Sequence, residues 1–174
     1  MTSLQFKPAL KRKEAEAVAA AWLQNRNEIL HFLTSFEKHS TIAQRKGLWV
    51  LGIIHEIESS SLESYHDILY KIFNASSDAA VRREIFQILL GTRNEKIRGA
   101  MLDAAIACIQ NPASSVAECH HALQWLLEPS KKHPELARET ITALTTTSEN
   151  RTPAWSRYAA KQIIRLQNQH QFRL

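Results

Sequence analysis

Apolar side chains recur at helical spacing along almost the whole chain, in blocks of about 12 to 17 residues divided by short polar stretches. The pattern predicts helices near 9–24, 26–38, 42–58, 61–74, 78–91, 95–110, 115–128, 134–146 and 153–168. Capping residues fall at the divisions. Thr41 with Gln44, Ser60 with Glu63, and Ser115 with Glu118 have the spacing at which a hydroxyl and a side chain three residues on satisfy free backbone donors. Asn25 with Glu28 repeats that spacing, and Thr152 before Pro153 is a cap followed by a first-turn proline. No Gly/Ser-rich or Pro-rich linker interrupts the pattern, so residues 1–174 read as one domain.

The blocks repeat. Arg45-Lys46-Gly47-Leu48, Arg82-Arg83-Glu84-Ile85, Cys119-His120-His121-Ala122 and Arg157-Tyr158-Ala159-Ala160 start 37 or 38 residues apart, each opening the second helix of a pair. Seven residues beyond each start stand Gly52, Leu89, Leu126 and Ile164, which keeps a small or apolar register through all four copies. Two helices in a period of this size make a solenoid, in which each pair buries its apolar face against its neighbours.

Asp78-Ala79-Ala80-Val81-Arg82, followed by Ile85, Leu89 and Gly91, resembles the second helix of a HEAT repeat. The other copies keep the spacing, and Cys119 stands where the arginine would be. Arg45 to Leu51 with its Trp-Val-Leu core, Arg82, and Val116 to Leu144 with Pro134-Glu135-Leu136 are similar to a group of short bacterial HEAT-like proteins, over about residues 40–166. The resemblance implies an all-α fold, a right-handed α-α superhelix of about four helix pairs plus an N-terminal helix. Its repeats fall near 25–58, 61–91, 94–128 and 132–168.

By the same resemblance the second helices line an inner surface. The repeat offset then gives three rows: Lys46, Arg83, His120 and Tyr158; Val50, Gln87, Gln124 and Gln162; and Ile53, Leu90, Leu127 and Arg165. Glutamine amides carry donors and an acceptor and suit the main chain of a peptide, while the apolar members offer contact surface. Lys46, Arg83, Gln87, His120, Gln124, Tyr158, Gln162 and Arg165 are therefore the candidate contacts of a groove for a protein or peptide partner. The alternative reading is a solvated helical face.

Composition narrows the function classes. Two cysteines in 174 residues make no disulfide framework, and Cys108 and Cys119 read as small core residues rather than a redox pair. Adjacent His120 and His121 point about 100° apart, poor geometry for a shared metal. No phosphate-binding glycine loop, nucleophile elbow or cysteine-rich metal signature occurs, so no enzyme, cofactor or metal is expected. Arg45, Arg82 and Arg157 read as structural, pairing with an acid such as Asp78, against the alternative of an anionic ligand. Trp49 and Trp125 read as core and Trp155 stays open. Without an export signal or an apolar run long enough for a membrane, a cytoplasmic setting is expected. Nothing sets an oligomeric state.

The net charge of +5 is not spread evenly. Residues 1–149 carry 17 basic and 17 acidic side chains, whereas 150–174 carry Arg151, Arg157, Lys161, Arg165 and Arg173 with no acid. The second function to be weighed is therefore nucleic-acid binding through the basic C-terminal helix, by fold-level analogy with HEAT-like DNA alkyl-base glycosylases.

Overall fold

The computed structural model describes residues 10–148 and 151–171. The described residues form α-helices α1 (Arg12–Gln24), α2 (Arg26–Thr34), α3 (Thr41–Glu58), α4 (His66–Ala75), α5 (Ala79–Leu89), α6 (Glu95–Gln110), α7 (Val116–Ser130), α8 (Pro134–Ser148) and α9 (Pro153–His170), with 3-10 turns at Phe36–Lys38 and Ser59–Tyr65. No strand occurs among them, and the expected all-α fold is what the chain adopts. No helix among the described residues is long and apolar enough to cross a membrane.

Helix starts follow capping chemistry. Asp78 accepts the Ala80 N–H at 2.8 Å and the Val81 N–H at 3.4 Å, Asn94 accepts Lys96 N–H at 3.1 Å, and Ser115 accepts Glu118 N–H at 3.1 Å. Two starts and one helix end differ from expectation, and Asn25, expected to cap α2, makes no side-chain capping bond. Ser40 rather than Thr41 caps α3, and Gln44 reaches back to the Phe36 carbonyl at 2.9 Å. Around Ser60 and Glu63 the backbone takes the tighter 3-10 turn, so α4 begins at His66, five residues later than expected. The 26–38 helix breaks at Ser35, whose hydroxyl donates to the His31 carbonyl at 2.6 Å and diverts the last turn. The start expected at residue 9 lies outside the described residues.

The chain divides into two compact units, Met1–Thr92 and Arg93–Leu174. In the N-terminal unit α3 packs between α1 and α5, and α4 packs on α2 and α5. Its core holds Phe32, Leu48, Leu51, Ile54, Leu69, Phe73, Ile85 and Phe86, each at most 1% exposed. Phe73 and Phe86 meet edge to face at 4.8 Å. In the C-terminal unit α6 packs on α7 and α8, α7 on α8, and α8 on α9, around Met101, Ile109, Leu123, Leu126, Leu144 and Trp155. Each unit thus stacks short helices that turn an apolar stripe inward.

Candidate functional site

In the C-terminal unit the two second helices are α7 and α9. Ser115 caps α7, and Thr152, accepting Trp155 N–H at 3.4 Å ahead of Pro153, caps α9. These starts turn Ala122, Trp125 and Leu126 of α7 and Trp155, Ala159, Gln162 and Leu166 of α9 inward. His120, Gln124 and Tyr158 are left together at the seam.

Gln124 Nε2 donates to Tyr158 Oη at 3.4 Å. The His120 ring lies 5.2 Å from the Tyr158 ring at a tilt of 34°, and 5.7 Å from the His121 ring at 77°. Trp155, itself buried, backs Tyr158 at 5.9 Å. Burial pushes the Tyr158 phenol above its ordinary range, outweighing the opposing hydrogen bond from Gln124 and the charge of Arg165. The phenol is therefore neutral at physiological pH. Because its oxygen accepts from Gln124, its proton is directed to another acceptor, and Gln124 Oε1 stands beside it as an acceptor. A hydroxyl donor and an amide acceptor side by side match the two polar groups of a peptide unit, and the His120 and Tyr158 rings supply apolar faces.

Arg157, Lys161 and Arg165 recur at one-turn spacing on the exposed side of α9, next to this cluster. Arg151, on the same C-terminal segment, does not join them. Arg151 is turned to the α6–α7 connection: Nη1 donates to the Ser114 carbonyl at 2.7 Å and Nη2 to those of Ile109 at 3.1 Å and Asn111 at 2.5 Å. Its guanidinium also lies 5.6 Å from the Trp155 ring. Arg173 lies outside the described residues.

Not every residue of the expected rows reaches the surface. Gln162 is only 7% exposed and its Oε1 has no hydrogen-bond partner among the described residues. Ile164, expected in the apolar register, is 57% exposed. Both follow from the repeat step: buried Glu118, Ala122 and Trp125 of α7 correspond to buried Trp155, Ala159 and Gln162 of α9 at 37 residues, whereas the rows used 38. In the N-terminal unit Val50 and Ile53 are core, because α3 is covered by both α1 and α5. Lys46, Arg83 and Gln87 are half-buried there, and Arg83 Nη2 pairs with Glu84 at 2.8 Å.

The repeat arginines behave differently from one another. Arg45 donates to Asp78 Oδ2 from Nε at 2.9 Å and from Nη2 at 2.7 Å, so it binds the residue that caps α5. Burial pushes the Asp78 carboxyl up, but the Arg45 bond and the Ala80 and Val81 N–H groups outweigh it and hold the group below its ordinary value. Arg82 lies over the Phe73 ring at 4.3 Å. Arg157 makes no ion pair among the described residues.

Cys108 and Cys119 are buried, with Cys119 Sγ 3.6 Å from the Cys108 carbonyl. Trp22, Trp125 and Trp155 are buried and Trp49 is half-buried, which resolves the open position of Trp155 in favour of the core. No group of three or more His, Cys, Asp or Glu placed to hold a metal ion occurs among the described residues.

Short capped helices packed as successive pairs, with an arginine of one pair bound to the capping aspartate of the next, define an α-helical repeat protein. Residues 5–166 match the family model described as HEAT repeat domain, and the chain belongs to that family. No curated protein and no solved structure matches the chain significantly. HEAT repeats are in general protein-interaction modules.

Proposed function

We propose that the chain is a binding module for a protein or peptide, and that it takes its partner against the α7–α9 face of the C-terminal unit. The observation that carries this reading is the Gln124–Tyr158 hydrogen bond, 3.4 Å long, which leaves the phenol proton and the amide oxygen side by side toward a partner's main chain. His120 adds a ring face and Arg165 a nearby charge. Gln162 takes no part, since it is buried. Lys46, Arg83 and Gln87 form a mixed polar set on the N-terminal unit, where Arg83 is held by Glu84.

The test begins with peptides selected on the full chain from a random display library. Tyr158→Ala should weaken a selected peptide by more than about tenfold, as truncating a central aromatic contact does. Tyr158→Phe, which keeps the ring, should weaken it less, and a fold check by circular dichroism accompanies both. Unchanged affinity in both variants contradicts the placement.

A further inference from the structure

The surplus positive charge of this chain is organised on one helix. Of the five basic residues in 150–174, Arg151 is committed to three carbonyls and Arg173 lies outside the described residues. The remaining three, Arg157, Lys161 and Arg165, stand at steps of four residues along the exposed side of α9. Four residues advance a helix by about 6 Å and turn it by about 40°, so the three charges span about 12 Å in a row that leans across the exposed side of α9. No acid occurs in that segment to neutralise them. Ile164 projects beside the row at 57% exposure, and Tyr158 and His120 border it on the α7 side.

We infer that this row docks an acidic amphipathic helix of a partner protein, with carboxylates at one-turn spacing against Arg157, Lys161 and Arg165 and an apolar side chain against Ile164. The axial step of the row is that of glutamates four apart on a partner helix, so a helix crossing α9 at the angle that aligns the two leaning rows brings carboxylates to the three charges. The apolar neighbour favours a peptide over a nucleic acid, because a phosphate backbone offers nothing to an exposed isoleucine. Outside this segment the chain carries equal numbers of acidic and basic residues.

The inference rests on the α7–α9 face being the partner-binding face, and its failure can be separated from failure of that reading. The probe is a fluorescein-labelled helical peptide of about 18 residues, with glutamates at every fourth position and leucines beside them. Controls are its glutamine counterpart, a scrambled peptide of equal composition, and single- and double-stranded DNA of similar length. Fluorescence anisotropy on the full chain should show binding that weakens steeply between about 50 mM and about 300 mM salt. Arg157→Glu with Lys161→Glu should lose at least about tenfold in affinity, while Lys13→Glu with Lys96→Glu, an equal charge change at exposed sites elsewhere, stays within about twofold.

Equal loss in both double variants, equal binding of the scrambled or glutamine peptide, or tighter binding of DNA overturns the inference. So does absence of binding to the acidic helix. If library-selected peptides still depend on Tyr158 in that case, the α7–α9 reading stands and only the acidic partner falls.

Discussion

Phe32 fills the space that a side chain at position 47 would need: a Cβ on Gly47 would lie 2.1 Å from Phe32 Cζ. The ring cannot step aside, because it is fully buried and held by Trp22 at 5.4 Å, Phe36 at 5.6 Å and His39 at 5.2 Å. In an open helix, replacing glycine by alanine gains about 1 kcal/mol. Here overpacking reverses the sign, and Gly47→Ala should lose about 1–3 kcal/mol in urea unfolding. A stabilised variant would contradict the packing of α2 on α3.

Asp78 combines two roles, capping α5 and receiving Arg45. Asp78→Ala should cost about 1–2 kcal/mol, chiefly the lost cap. Arg45→Ala should cost under about 1 kcal/mol, since the arginine is more than half exposed. The Asp78 carboxyl titrates below its ordinary value, so its contribution is present above the unfolded-state value and disappears as pH falls through the folded one. Equal losses in the two variants would show that the ion pair, not the cap, is the larger effect.

Arg151 and Arg157 are six residues apart and should respond oppositely to truncation. Arg151→Ala removes bonds to three carbonyls and should cost about 2 kcal/mol in chemical denaturation. Arg157→Ala should stay within about 0.5 kcal/mol of the parent, as an exposed side chain without an ion pair does. A destabilised Arg157→Ala with a neutral Arg151→Ala would reverse the assignment of structural and surface roles.

Three histidines of the N-terminal unit are held neutral by burial. His66 Nδ1 meets Thr92 Oγ1 at 2.8 Å while its Nε2 has no partner among the described residues, and His55 Nδ1 likewise has none. Burial lowers the pKa of His66, His55 and His39 below the ordinary value. With folded values below the unfolded one of about 6.5, stability is full above that pH and is lost as pH falls toward the folded values. Urea midpoints between about pH 7.5 and about pH 5.5 should therefore fall, and His66→Gln should flatten the slope. A midpoint that rises on acidification contradicts burial of the neutral rings.

Local chemistry was readable from the chain where short-range signals sufficed. The Ser115 and Thr152 caps, the repeat spacing and the structural role of Arg45 all follow from side chains within a few residues or from the HEAT pattern. Long-range packing was not. Nothing near Gly47 announces the Phe32 ring, and the burial of Gln162 depends on whether the last repeat step is 37 or 38 residues. Glutamine is ordinarily an exposed helix former, so its identity pointed to the surface while the phase of α9, set by Trp155 and Leu166, turned it inward. The Gln124–Tyr158 pairing was legible only as two polar residues in neighbouring rows; the 3.4 Å bond required the helices to be packed.

Amide-shift mapping of a library-selected peptide bound to the isotope-labelled full chain tests the central claim most directly. The account predicts that the largest ¹H–¹⁵N shifts cluster at His120, Gln124, Tyr158 and their neighbours on α7 and α9. Saturable binding whose shifts leave those residues unmoved and fall elsewhere would contradict it.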